Sequence, residues 1–516
     1  MFSAWLSDLT APVDWLVGAW GRDTTYFVSR WLFLRLLGAV FLVAFLSFWV
    51  QLPGLIGRRG ILPAAAFLDS LRDRLGRARV RWVPTVFWLD AGDRALHAAC
   101  ATGVALALLV IIGVAQPVCL LGLWVLYLSL VAVGQDFLAF QWDVLLLETA
   151  PLAILIAPWS LGFAEAAALP AMGLVLLWWL LFRLMFQSGV VKLTSGDPAW
   201  RNLSALDYHW YTQPLPTWIG WWAHQAPRWS RRVAVAGTFV LEAGVPLLIF
   251  GPRWLRLIGC GGIVLMQVLI MATGNYTFFN LLTIALTVLL IDDAIWASLG
   301  WCPNPERCAG GAEVAASAVP ELAALLVAGP VLLVSMGRVW RSLGPHAHLP
   351  AWLQRMSGWI EPFRIVNSYG LFRVMTTSRP EIEVQGSRDG REWQTYHFRW
   401  KPDEPERRPR FVEPHQPRLD WQVWFAALSG FQRTPWFASF LARLLEGSPP
   451  VLRLLRTNPF GGDPPRYVRG RLWDYRFTSI AERRQSGRWW ARTLIGEYGP
   501  TVTGRGTSPA VSRATY

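Results

Sequence analysis

Apolar runs separated by polar breaks fill the first two thirds of the chain. Nine of them approach the ~20 residues that an α-helix needs to cross the hydrocarbon of a bilayer. They are Trp31–Leu52, Ala95–Val114, Val118–Val133, Trp142–Pro158, Leu169–Phe186, Val233–Phe250, Leu255–Thr273, Phe278–Ile291 and Val319–Gly337. The runs at 118–133 and 278–291 are short and read as broken or re-entrant helices. The first 30 residues are amphipathic and lack the basic start and small-residue cleavage site of a signal peptide, so the first run reads as an uncleaved anchor.

Beyond Gly337 the helical period stops. Residues 338–362 read as a linker, with Pro345–Pro350 at its centre. Residues 363–375 read as strands with a glycine break. Residues 381–387 alternate polar and apolar positions, Arg388-Asp389-Gly390 supplies a turn, and 392–400 returns, which predicts a β-hairpin. A helical insert follows over 417–458. Thr434 is its expected cap, with Pro435 at the first helical position. Strand patterns resume at 466–478 and 488–495, and 500–516 reads as a disordered tail. The fold class is therefore an α-helical polytopic membrane bundle of about nine spans (1–337), followed by a β-rich C-terminal domain (363–499).

Composition strengthens the membrane assignment. Of the 516 residues 53% are hydrophobic and 16% charged, against ~25% charged in soluble domains. The 32 tryptophans suit an interface, where the ring is buried and its N–H stays wet; Trp178, Trp179, Trp221 and Trp222 lie near span ends. Charge is uneven: residues 1–337 hold 20 Lys+Arg and 19 Asp+Glu, leaving 28 and 15 of the totals of 48 and 34 for the rest. A basic tail behind a membrane region points to lipid headgroups or an acidic partner, and we expect no nucleic-acid partner. The basic loops 53–94 and 187–232 share one side with the tail, a side that the positive-inside rule puts in the cytoplasm. That rule weakens for large domains.

Cys100, Cys119 and Cys260 read as packing residues. Cys302 and Cys308 flank a Pro-rich loop whose length permits a small disulfide, with free thiols the alternative. His346 and His348 read as loop histidines. We expect no metal site and no cofactor.

Ionisable groups within apolar runs are costly unless paired, which makes them functional candidates. Arg35, Asp143, Glu148, Arg183 and Glu242 form the expected polar membrane set, with Gln135, Asp136 and Gln141 at a span edge. Interhelical ion pairing, such as Arg183 with Glu148 or Glu242, is the plain reading; a polar cavity is the sharper one. Asp143 and Glu148 are five apart and face different ways, so they are no obvious acid/base pair. Lys192 and Lys401 are the only lysines. A compact, deprotonatable cation at the end of a span marks Lys192 as a candidate catalytic residue. In the tail, R-L-D-W (418–421) reads as a local core with Asp420 holding Arg418; Arg418, Asp420 and Trp421 are also the client-binding candidates. The exposed sheet face, lined by Arg and Trp, is a second surface for a protein partner.

Several stretches together resemble the lipase maturation factor family over nearly the whole chain. They are L-I-G-R-R-G-I-L-P-A (55–64), F-Q-W-D-V-L-L-L-E-T (140–149), the Lys192 segment running on to L-D-Y-H-W-Y-T-Q-P-L-P (206–216), and G-N-Y-T-F-F-N-L-L-T (274–283). In the tail they are N-S-Y-G-L-F (367–372), P-R-L-D-W-Q-V-W-F-A-A (417–427), N-P-F (458–460) and G-R-W-W-A-R (487–492). The resemblance implies a membrane-embedded factor that helps client proteins, secreted lipases above all, to fold and assemble. It also implies a C-terminal domain facing the lumen, against the charge rule. The site would be the endoplasmic reticulum membrane in a eukaryote and the cell membrane in a microbe. The G-V-V-K-L segment (189–193) with Trp200 beyond it is also similar to the membrane module of vitamin K-dependent carboxylases, which implies an alternative: an intramembrane enzyme with Lys192 as base. G-x-S-x-G, P-loop, H-E-x-x-H and C-x-x-C motifs are missing, so the commoner enzyme classes lose their support. Transport stands third, because no inverted repeat is visible. The oligomeric state is not legible.

Overall fold

The computed structural model describes residues 25–159, 169–301, 318–344 and 348–504. Among them, each of the nine apolar runs contains a helix: α1 (Phe27–Trp49), α2 (Asp93–Ile112), α3 (Gln116–Val133), α4 (Gln141–Ile156), α5 (Ala171–Thr194), α6 (Arg228–Phe239), α7 (Arg253–Thr273), α8 (Phe279–Val288) and α9 (Ala318–Leu343). Helix α6 is prolonged by a π-helical turn at Val240–Gly244 and a 3₁₀ turn at Val245–Phe250.

Seven of these segments are long and apolar enough to cross a membrane, which corrects the nine expected. The run at 118–133 is a full-length helix of 18 residues, not a broken one. The two that fall short are α4, with 16 residues, and α8, with 10. Helix α4 has no polar stripe facing solvent because it is buried on nearly all sides, which hydropathy cannot tell from a lipid-facing span. Trp178 and Trp221 are likewise interior, whereas Trp222 is exposed.

The C-terminal region carries an antiparallel sheet in the order β2-β1-β3-β4, built from β1 (Pro380–Ser387), β2 (Gln394–Tyr396), β3 (Tyr467–Phe477) and β4 (Trp490–Glu497). The predicted hairpin is β1–β2, with Val384 opposite Tyr396. The insert supplies α10 (Arg418–Leu428) and α11 (Pro435–Leu445). Residues 363–375 form no strand, against expectation. Their backbone N–H groups bond to side chains of the helical bundle instead: Asn367 to Glu148, Tyr369 to Gln187, Gly370 to Gln141 and Met375 to Asp197. A strand needs those donors for a neighbouring strand.

The two regions share one core. Buried apolar side chains run without a break from Phe33 and Phe41 in α1 to Leu419, Phe437 and Val468 beyond it. Trp142 and Trp421 meet edge-on with centroids 4.8 Å apart, and Phe137 meets Trp436 at 5.6 Å. The chain N-terminal to Thr25, the Cys302–Cys308 loop, His346 and the tail beyond Gly504 lie outside the described residues.

Candidate functional site

The expected polar set divides into separate sites, and most of it joins the bundle to the C-terminal region. Asp143 lies in the first turn of α4, where the free N–H groups and the helix dipole favour a carboxylate. It is wholly buried. Arg418 at the start of α10 grips it with two parallel bonds of 2.8 and 2.9 Å, and Tyr127 of α3 donates to it at 2.5 Å. Such planar, charge-assisted pairing is stronger than a neutral hydrogen bond. Arg418 also donates to the Phe137 carbonyl at 2.7 Å, so a loop of the bundle is held by the same guanidinium.

Glu148 stands a turn and a half further along α4 and faces elsewhere, as its spacing requires. Arg183 of α5 donates to one oxygen. The other accepts from the Asn367 backbone at 2.7 Å and the Tyr369 hydroxyl at 2.7 Å. Arg183 in turn donates to the Asn367 carbonyl at 3.1 Å. The expected Arg183–Glu148 pair is thus present, but its purpose is to receive N-S-Y-G.

Three more loops on the same side of the bundle complete this joint. Gln51 accepts from the Arg418 N–H at 2.9 Å and donates to the Gln416 carbonyl at 2.6 Å. In the R-R-G loop, the carbonyls of Arg59 and Gly60 accept from Ser448 and Arg443. Gly54 lies so close to Pro450 that a Cβ there would come within 2.5 Å of its carbonyl oxygen. Asn275 accepts from the Val412 N–H at 2.7 Å, and Tyr276 donates its N–H to Glu413. Buried Arg379 reaches back to the carbonyls of Tyr211, Gln213 and Pro214. Glu413 is half-buried, and this loss of water pushes its carboxyl up to about 8.

Three readings of the insert change. Asp420 does not hold Arg418. It accepts from the backbone N–H groups of Trp400 and Lys401 at 2.8 and 2.9 Å, and burial pushes it up to about 6. Arg418, Asp420 and Trp421 are all buried at the joint, so as placed they present no surface to a client. Thr434 does not cap α11; its hydroxyl bonds to the Phe431 carbonyl and to Tyr498. Sequence reasoning gave no role to Tyr127, Gln51, Asn367, Tyr369 or Arg379. The N-S-Y-G and Q-P-L-P stretches were visible, but nothing in them names partners more than a hundred residues away.

The remaining members sit apart. Arg35 stacks on Trp31, 3.9 Å from ring centre, and donates to the Trp31 and Ile112 carbonyls. Lys192 pairs with Glu242 at 2.6 Å and donates to the Ser188 carbonyl at 3.0 Å. Gly189 makes this possible: a Cβ there would lie 3.0 Å from the Ala243 backbone, so only a glycine lets α5 and the π-turn approach freely. The π-turn itself aims Glu242 inward. The pair borders a cavity of about 520 Å³ among α5, α6 and α7, lined mainly by apolar side chains. A base at Lys192 would need a free lone pair. Here the amine is already engaged by Glu242 and the Ser188 carbonyl, which works against that role.

Lys401, the other lysine, is buried and pairs with Glu381 at 2.8 Å. His397, Asp403 and Glu404 cluster within metal-ligand distance. Arg407 and Arg456 already neutralise the two carboxylates, so the cluster reads as an ion-pair network. On the outer face of the sheet, Arg469 stacks on Trp393 at 3.9 Å, and Arg471 and Arg492 flank Trp473 at 5.2 and 4.2 Å. Leu494 and Ile495 of the edge strand β4 are exposed beside them.

Comparison with known proteins agrees with this architecture. The profile of lipase maturation factor transmembrane domains matches residues 28–298, and that of lipase maturation factor C-terminal domains matches 365–500. Lipase maturation factor 2 of Homo sapiens is 38% identical over 92% of this chain and 83% of its own length. Its counterpart in Gallus gallus is 37% identical over 92% and 81%. Lipase maturation factor 1 of Bos taurus is 35% identical over 93% and 90%. No solved structure matches. A membrane bundle and a C-terminal sheet matched in the same order by both profiles leave one conclusion: the chain belongs to the lipase maturation factor family.

Proposed function

We propose that this integral membrane protein is a maturation factor whose clients are secreted lipases. The observation that carries the reading is the likeness, across more than nine tenths of the chain, to proteins named for lipase maturation. The client platform is the outer face and free edge of the sheet. Trp and Arg are the side chains that dominate binding at protein interfaces, and an open edge strand offers backbone groups to a partly folded chain. Lys192 takes no chemical part.

An exported client must meet the sheet on the non-cytoplasmic side. That side is the endoplasmic reticulum lumen in a eukaryotic cell and the outer face of the cell membrane in a microbe. The basic loops oppose this orientation, but a domain of this size crosses a membrane largely regardless of charge.

The test is co-purification of a tagged secreted lipase with the full chain in detergent. Ile495→Asp combined with Arg471→Glu should reduce lipase recovery at least tenfold with the thermal midpoint unchanged. Lys192→Ala should leave recovery intact. Lipase recovery equal in the sheet variant and the wild type would overturn the platform. Loss of maturation in Lys192→Ala with lipase still bound would favour the enzyme reading.

A further inference from the structure

The cavity beside Lys192 has a wall, a mouth and a polar end, each with its own chemistry. The wall is apolar: Leu184, Leu206, Leu241, Met266, Ile270 and Phe279 face it. Its volume of about 520 Å³ lies within the ~300–1,000 Å³ of small-molecule sites. At the ~30 Å³ that a water molecule occupies in the liquid, it holds on the order of 17 non-hydrogen atoms. That is one chain with a small head, not the two chains of a phospholipid.

The mouth opens toward hydrocarbon. Helices α6 and α7 bound the cavity, and their spans are only 22% and 33% buried within the protein. Rim residues Ala234 and Leu269 are exposed, as are Val233, Val240 and Leu265 beside them. An occupant would enter sideways from the bilayer.

The polar end sets the head group. Among the described residues, Gln267 Oε1, Asn280 Oδ1 and His209 Nδ1 are buried without a hydrogen-bond partner, and all three residues face the cavity. Buried polar atoms are rarely left unpaired, so each calls for a partner. Burial, reinforced by the Lys192 charge, pushes His209 down to about 4, which keeps its ring neutral. Lys192 and Glu242 satisfy each other, so the wall carries no net charge. A charged head would lose its water and gain no counter-charge. A hydroxyl head would lose little and would donate to the waiting amide oxygens.

We infer that this cavity is a binding site for a neutral, single-chain lipid with a hydroxyl head, of the monoacylglycerol type, taken from the bilayer. The site lies apart from the sheet and does not depend on the identity of the client.

The test uses the full chain in phosphatidylcholine nanodiscs and three photoreactive alkyl probes: a monoacylglycerol, a free fatty acid and a phosphatidylcholine. The monoacylglycerol probe should label α5 and α7 saturably, with labelled peptides containing Met185 or Met266. Unlabelled monoacylglycerol should compete it away. Gly237 lines the cavity and a Cβ there would meet nothing within 4 Å, so Gly237→Leu should fill part of it without a clash and cut labelling about tenfold at an unchanged thermal midpoint. Gln267→Leu should cut it about threefold or more by removing an acceptor. Equal or stronger labelling of the same peptides by either of the other probes would overturn the inference. So would labelling that neither saturates nor responds to Gly237→Leu. A lipase-binding defect alone would leave this result untouched, so the two proposals fail separately.

Discussion

Two kinds of buried ion pair occupy this bundle, and they differ in what surrounds them. Arg418–Asp143 and Arg183–Glu148 are sealed on every side and joined to further donors. Lys192–Glu242 is equally close but borders open volume. Each joins a basic residue to a carboxylate, yet the first two weld parts of the chain together and the third lines a chamber. An ionisable residue in an apolar run thus marks a site without saying which kind. The closure of its surroundings decides.

The sharpest way to break this contrast is to remove one partner of the sealed pair. Asp143→Ala or Arg418→Ala strands a buried charge and should cost about 3–5 kcal/mol. Replacing both by apolar residues of similar size, as in Asp143→Leu with Arg418→Met, should recover most of that loss, because no charge is left without a partner. Thermal unfolding in detergent measures both. The same logic warns against deleting the C-terminal region to test client binding. Its loss would uncover Asp143, Glu148 and Tyr276 together, and the bundle would fail with it. Point substitutions on the sheet keep the two effects apart.

The joint should also respond to pH, by a smaller amount. The Glu413 carboxyl is raised from 4.5 to about 8 by burial. The folded state therefore binds a proton that the unfolded state has released, and stability falls as pH rises from 4.5 to 8. Asp420, raised from 3.8 to about 6, acts in the same direction over its own lower range. From pH 5 to pH 8 the unfolding free energy should drop by about 2–4 kcal/mol on this account. Glu413→Gln mimics the protonated form and should remove most of the slope, leaving the variant the more stable protein at pH 8. A wild-type midpoint flat across that range would mean that Glu413 reaches water.

How far the sequence reaches follows from the range of each signal. A span declares itself because bilayer thickness fixes its length, and the β1–β2 hairpin because Asp389-Gly390 sets its turn locally. Position α4 is ambiguous because a helix buried in protein and one bathed in lipid are equally apolar. Residues 363–375 have strand composition, but Glu148, Gln187 and Gln141 claim their backbone. R-L-D-W predicts that Arg418 pairs two residues away, with Asp420. Its true partner lies 275 residues away, and no local pattern encodes that. The Lys192 segment stands out by its residue types, whereas its partner Glu242 sits in a π-turn that periodicity does not reveal.

The smallest expected effect tests the contrast from its open side. Lys192→Ala leaves Glu242 without its cation, as Arg418→Ala leaves Asp143. If burial alone set the penalty, the two losses would match. The difference is that Glu242 borders a chamber, so water or a bound lipid head can reach the stranded carboxylate. Asp143 has only packed side chains around it. We expect Lys192→Ala to cost about 1–2 kcal/mol, well below the sealed pair. Adding Gly237→Leu should raise that cost, since filling the chamber removes the room for a replacement partner. Measured in the same detergent, equal losses for Lys192→Ala and Arg418→Ala would show that the chamber gives the stranded group no access. An increase with Gly237→Leu would show that open volume, rather than depth in the membrane, separates the two kinds of pair.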